Sequence, residues 1–147
     1  MWLFLFKKNN MQQKSTFQFI EYFIRKSVFI RRSVDNVKKE YSINIKPNGV
    51  LNNSNKQFQL GLDIEIIDKE EETLLNVEII GLFKYTGEFE DVKSFLILNA
   101  PAILFPYLRA YISTLTTLSG LDTYTLPTMN LSSLKDEIFQ NIEFIEA

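Results

Sequence analysis

Residues 57–67 read QFQLGLDIEII, and their alternation is strict. Phe58, Leu60, Leu62, Ile64 and Ile66 fall on one side of an extended chain, and Gln57, Gln59, Gly61, Asp63 and Glu65 on the other. Successive side chains of a strand point to opposite faces, so this run commits the chain to a sheet with one apolar face. The charged turn DKEEE at 68–72 leads into TLLNVEIIGLFKY, which sets Leu75, Val77, Ile79, Gly81, Phe83 and Tyr85 against Asn76, Glu78 and Lys84. Upstream, EYSINIK at 40–46 alternates in the same way, with Tyr41, Ile43 and Ile45 opposite Ser42, Asn44 and Lys46. The PNGVLNNSN that follows has the composition of a turn. Residues 16–33 are rich in Phe, Ile and Val, and their phase is lost near Phe23–Arg25, as in a long strand carrying a bulge. Four strands with short connections predict an antiparallel meander, and its apolar side needs a cover of helices. The fold class expected is α+β, a four-stranded antiparallel β-meander with helices packed on one face.

The cover is found in NAPAILFPYLRAYISTLTTLSG. Residues 101–118 predict the main helix, closed by Gly120 and barred from continuing by Pro127. Pro101 suits a first turn, whereas Pro106 removes the hydrogen bond to the Ala102 carbonyl and predicts a kink or the true start. Two faces of this helix are apolar: Leu104, Leu108, Ile112 and Leu115 form one, and Ile103, Tyr107, Ala110, Tyr111, Thr114 and Leu118 the other. One face covers the sheet and the second calls for another surface, most simply a second subunit. The segment at 88–98, EFEDVKSFLIL, reads as a short helix or connection. A last helix is expected at 131–142, with Leu134, Ile138 and Ile142 at spacing four and Asn130 or Ser132 as its N-cap.

Composition narrows the chemistry. The 147 residues contain no His and no Cys. The usual general base near neutral pH, the commonest metal ligand and the thiol nucleophile are therefore all missing. No enzyme activity, cofactor or metal is expected. Asp63 and Glu65, about 7 Å apart on one strand face, are a carboxylate pair in spacing only and read as a solvated face. The lack of Cys fits a reducing compartment, and a cytoplasmic protein is expected.

Charge is uneven along the chain. Residues 1–40 hold nine Lys/Arg and three acids, 9 − 3 = +6, and residues 41–147 hold seven and fifteen, 7 − 15 = −8. The bases of the first segment (Arg25, Lys26, Arg31, Arg32) are dispersed among apolar residues, so no nucleic-acid partner is expected. No run reaches the ~18–20 apolar residues of a membrane helix, and MWLFLF at the start is too short for a signal-peptide core. Residues 1–15 are expected to be a disordered extension, with Met11 opening a more ordinary start, and residues 16–147 a single domain.

The run NAPAILFPYLRAYISTL, the break at Gly120 and the LPTMNLSSL before the last helix resemble the protein-export chaperone SecB and its relatives. The resemblance is carried by ILFPY with Arg109 two residues on, by the spacing of Pro127, Asn130 and Leu131, and by VEIIGLF upstream. It covers about residues 16–142. It implies a homotetramer, a dimer of dimers, with the long helices between dimers and an interface through Tyr107, Ala110, Tyr111, Thr114 and Leu118. It also implies ATP-independent holding of unfolded or precursor polypeptides in apolar grooves, lined here by Tyr41, Ile43, Ile45, Leu134, Ile138, Phe139 and Ile142. Members of the family pass clients to the ATPase SecA through acids on the first strand and mid-sheet. The aligned positions here are Lys26, Ile30 and Asn76, none of them acidic. Some relatives instead serve one partner, such as an antitoxin, which is the alternative reading.

Overall fold

The computed structural model describes residues 16–32, 40–70, 73–120 and 122–145; the expected N-terminal extension lies outside the described residues. Strands β1 (Phe17–Arg31), β2 (Tyr41–Asn52), β3 (Gln57–Asp68) and β4 (Thr73–Tyr85) precede a long helix α1 (Phe89–Leu118). A 3₁₀ turn (Leu131–Ser133), a short helix α2 (Leu134–Gln140) and a strand β5 (Ile142–Ile145) follow.

The strands form one sheet in the order β1-β4-β3-β2-β5. The α+β class with helices on one face holds, but the order is not that of a plain meander. β2, β3 and β4 pair in sequence, whereas β1 lies antiparallel to β4 at the far edge. This is a Greek-key order, in which a long connection returns a strand beside the last of three hairpin-linked ones. β5 adds a fifth strand, parallel to β2 at Gly49–Asn52.

Three further boundaries differ from expectation. The last helix, expected over 131–142, ends at Gln140, and Ile142 lies in β5 instead. β2 does not turn at Pro47–Gly49 but pairs with β3 as far as Asn52, and the turn falls at Asn53–Lys56, where Lys56 takes a φ of 54°. Pro47 is tolerated because Gly49, two residues on, donates its N–H outward to the Asn141 carbonyl. Alternate residues share that direction, so the N–H that Pro47 lacks would have pointed away from β3. α1 begins at Phe89, not at Pro101, and runs through both prolines. Ala102 and Pro106 are both exposed, so the carbonyl freed by Pro106 meets solvent.

The core lies between the inner sheet face and α1. Phe58, Leu60, Leu62, Ile64 and Ile66 of β3 and Leu75, Val77, Ile79 and Phe83 of β4 are buried, as their alternation requires. From α1, Leu96, Ile97, Leu104, Leu108 and Ile112 descend onto them; each such side chain contributes about 1.5–3 kcal/mol on burial. A Cβ at Gly81 would come within 2.9 Å of Leu104 Cδ1, so this glycine lets the helix lie close over β4. By length and composition α1 could cross a membrane, contrary to the expectation that no segment would qualify; here its buried side packs on the sheet. Its C-terminus is tied to the following loop, where Thr116 Oγ1 donates to the Ile112 carbonyl at 2.9 Å and accepts from the Tyr124 N–H at 2.8 Å. Gly120 then takes a φ of 82° just past the helix, as its place in the sequence predicts.

β1 carries the expected irregularity. Its pairing with β4 shifts register between Phe19 and Glu21 and again between Ile24 and Lys26.

Candidate functional site

Two surfaces stand out, one at each edge of the sheet. The first lies along β2. Tyr41, Ile43 and Ile45 point to the inner face and are partly buried against the core. The ring of Tyr124, from the loop beyond α1, packs on Tyr41 with centroids 4.8 Å apart. Burial, and then the neighbouring Tyr41, pushes the Tyr124 hydroxyl above the ordinary tyrosine value. Met129 and Leu131 complete this partly covered strip.

The α2 stripe is placed differently from the groove lining suggested by resemblance. Leu134 and Ile138 are buried in the core and present no groove, because a helix of this length lying on a sheet spends its four-residue stripe on the sheet. Ile142 opens β5 and is partly buried. Phe139, off that stripe, is 37% exposed, with the ammonium groups of Lys93 and Lys135 at 5.9 and 6.0 Å from its ring centre. Asn130 Oδ1 accepts from the Ser132 N–H, so it caps the 3₁₀ turn as its residue type predicts.

The second surface joins β1 to the flank of α1. Tyr107 stacks on Tyr22 at 4.4 Å and on Phe19 at 5.8 Å, and the Tyr111 hydroxyl donates to Ser27 Oγ at 2.8 Å. Ala110, Thr114 and Leu118 on the same flank are exposed. The sequence pattern of β1, apolar on both faces, is the signal for a feature not read from it: Ile20, Tyr22, Phe23 and Ile30 are all at least 36% exposed on an edge strand. Phe23 and Ile30 lie on the outer face, where a cleft of about 320 Å³ also collects Ile20, Val50, Leu82 and Ile145. The outer face expected to be wet is therefore partly apolar.

Between these apolar zones runs a band of ion pairs. Arg25 Nε and Nη2 donate to the two carboxylate oxygens of Glu78 at 2.6 and 2.7 Å. That hydrogen bond, and the charge of Glu78, raise the Arg25 pKa further. Lys26 Nζ and Asn76 Nδ2 both donate to Asp63, at 3.0 and 2.7 Å. Asp63 is thus committed to neighbours, while Glu65 is exposed and the two form no working carboxylate pair. Of the three positions aligned with SecA-contacting acids, Lys26 and Asn76 are in this network and Ile30 is exposed. Among the described residues no group of acids is placed to hold a metal ion.

Comparison with known proteins agrees with this architecture. The family model described as "Preprotein translocase subunit SecB" matches residues 10–141, and the chain belongs to the SecB family. It is similar to the uncharacterized protein MJ0357 of Methanocaldococcus jannaschii, 29% identical over 133 residues that cover 85% of this chain and 86% of that protein. In structure it is similar to the Mycobacterium tuberculosis SecB-like chaperone Rv1957, solved with a ChAD peptide from the HigA1 antitoxin Rv1956. That match has a TM-score of 0.66 at 15% identity and covers 82% of this chain and 95% of the other.

Proposed function

We propose that this protein is an ATP-independent chaperone that holds unfolded or precursor polypeptides on exposed apolar surface. The observation that carries the reading is a SecB-family chain with large apolar side chains left exposed, Ile20, Tyr22, Phe23, Phe95, Leu98 and Phe144 among them. A non-native chain presents apolar segments of many shapes, and loosely shaped apolar surface binds them through area burial alone. In this reading Tyr41, Ile43, Ile45, Phe139 and Ile142 contribute to client contact. Tyr107, Ala110, Tyr111, Thr114 and Leu118, with β1, meet other copies in a homotetramer.

The test is suppression of aggregation of an unrelated denatured protein by the purified protein without nucleotide. Suppression near one assembly per client is expected, and no effect at micromolar protein would overturn the reading.

A second reading, a chaperone dedicated to one partner such as an antitoxin, has its own support. The structural neighbour was solved with an antitoxin peptide, and the positions aligned with the family's SecA-contacting acids are Lys26, Ile30 and Asn76, of which Lys26 and Asn76 both donate to Asp63. Pull-down from the native host separates the readings. Many unrelated precursors favour export, and one dominant partner favours the dedicated role.

A further inference from the structure

The cleft on the outer face lies at the end of the sheet where β1 begins. Its apolar lining comes from four strands: Ile20 of β1, Val50 of β2, Leu82 of β4 and Ile145 of β5. Ile20 sits where the pairing of β1 with β4 shifts register, and the bulge sets its side chain over the outer face. The described residues leave Ile20 and Ile145 43% and 41% exposed. Aliphatic side chains gathered around a hollow of about 320 Å³ make a seat for apolar side chains.

The chain itself supplies an occupant. Residues 1–15, outside the described residues, read MWLFLFKKNNMQQKS, and the run from Trp2 to Phe6 is wholly apolar. The core under α1 is closed without it, with Leu60, Leu62, Ile64 and Leu104 fully buried. The described chain begins at Thr16, whose N–H donates to Thr86 Oγ1 at 3.0 Å and whose carbonyl accepts from the Thr86 N–H at 2.8 Å. Thr86 lies just past Lys84, which lines the cleft, so the segment leaves the sheet beside the cleft. Ile20 is about 13 Å along the strand from Thr16, and residues 7–15 reach about 30 Å when extended. Charge agrees with the placement. Lys7, Lys8 and Lys14 follow the apolar run. At the cleft the exposed Glu21 lines the wall and the exposed Glu143 pairs with Val50, two acids against the one lysine, Lys84.

We propose that residues 2–6 of the same chain dock in this cleft as an apolar strap across the outer face, with Lys7 and Lys8 meeting Glu21 and Glu143. The strap hides Ile20 and Ile145 from water and ties β1 to β5 across the sheet between them. It stands apart from the chaperone reading, because the exposed Phe23, Phe95, Leu98 and Phe144 line no part of the cleft and stay available to clients.

Trp2 is the chain's one tryptophan and the chain has no cysteine, so a quencher and a label can each be placed at a single site. A bimane label on Ile145→Cys in the full chain should be quenched several-fold relative to the same label in a Trp2→Phe background, since tryptophan quenches bimane only near contact. A label on Leu98→Cys, on the helix side, should be equally bright in both backgrounds. No quenching of the Ile145→Cys label, or equal quenching of both labels, would overturn the inference. So would quenching that returns when labelled Trp2→Phe chains are refolded together with unlabelled wild type, because the strap would then come from another copy. A label-free measurement guards against disturbance by the dye. Trp2 emission in the unmodified protein should lie to the blue of free tryptophan, and Leu82→Glu should move it toward the free value with far-UV circular dichroism unchanged. Emission like that of free tryptophan, or blue emission indifferent to Leu82→Glu, would each place the run elsewhere and overturn the inference.

Discussion

The sheet has two edges, and they are built for different company. β1 is fifteen residues long, without proline and apolar on both faces, and it continues into the exposed flank of α1. β2 is apolar on the inner face only, is interrupted by Pro47, and is closed over its last four residues by the chain's own β5. An edge with both faces apolar is a hazard unless it is permanently covered, whereas an edge with one polar face and a proline is tolerable when open. In our reading β1 therefore belongs to assembly and β2 to transient occupants.

The largest expected effect concerns what supports both edges. The buried Phe83 ring packs against Phe17 and Phe19 of β1 and Phe58 of β3, with centroids 5.4–6.4 Å away. Phe83→Ala should cost about 3–5 kcal/mol in urea unfolding and loosen β1 first. A cost under about 1 kcal/mol would show β1 to be held independently of the core.

The contrast itself is broken or kept by a pair of variants. Tyr22→Asp with Phe23→Asp should lower the light-scattering mass of the assembly, with a shift of at least one dimerisation step. Ile43→Asp should leave the mass unchanged and weaken the suppression of client aggregation several-fold. The reverse pattern would exchange the roles of the two edges.

A smaller effect is expected on the outer face. Glu78 is nearly buried and depends on a half-exposed Arg25 for both its ion-pair bonds. Arg25→Met should cost about 1–2 kcal/mol, reduced from the figure for fully buried pairs by the exposure of the arginine.

The smallest is a pH effect at the β2 strip. Burial raises the pKa of Tyr124, and of Tyr85, whose hydroxyl donates to Asn53 Oδ1. A raised value favours the neutral form in the folded state. The stability it provides is complete below the ordinary tyrosine value of about 10 and is lost as pH rises above it. Tyr124→Phe should flatten the alkaline slope of stability measured between about pH 9 and 11, and an unchanged slope would remove Tyr124 from that account.

How much of this was legible depends on the range of the interaction involved. β3 and β4 could be read residue by residue because a half-buried strand writes its period into the sequence. β2 was cut short at Pro47–Gly49 because those residues favour a turn, and only the direction of the missing N–H shows why a strand accommodates them. The start of α1 was legible in the spacing of Phe89, Val92, Leu96 and Ile97, at i, i+3, i+7 and i+8, but Pro101 and Pro106 argue for a break between that stripe and the rest of the helix. Strand order lay beyond reach, since β1 finds β4 across more than forty residues of intervening chain. The candidate site was half legible. Tyr41, Ile43 and Ile45 do line a partly covered strip, whereas the spacing of Leu134 and Ile138 could not say which surface their stripe would meet.

The two register shifts in β1 carry one more consequence. Each adds a residue, so each exchanges inside for outside, and the second undoes the first. Phe17 and Phe19 face the helix at odd positions, Tyr22 and Ile24 at even ones, and Ser27 and Phe29 at odd ones again. Removing the extra residue at either place, Ile20 or Arg25, would take out the bulge and leave every other side chain on its present face and partner, Phe29 in the core included. Removing one from a regular stretch, with both bulges kept, would instead turn everything beyond it inside out. Drift in the length of this strand is therefore expected at these two places, one residue at a time, and an alignment of relatives that opens a single-residue gap in the regular stretches has misplaced it.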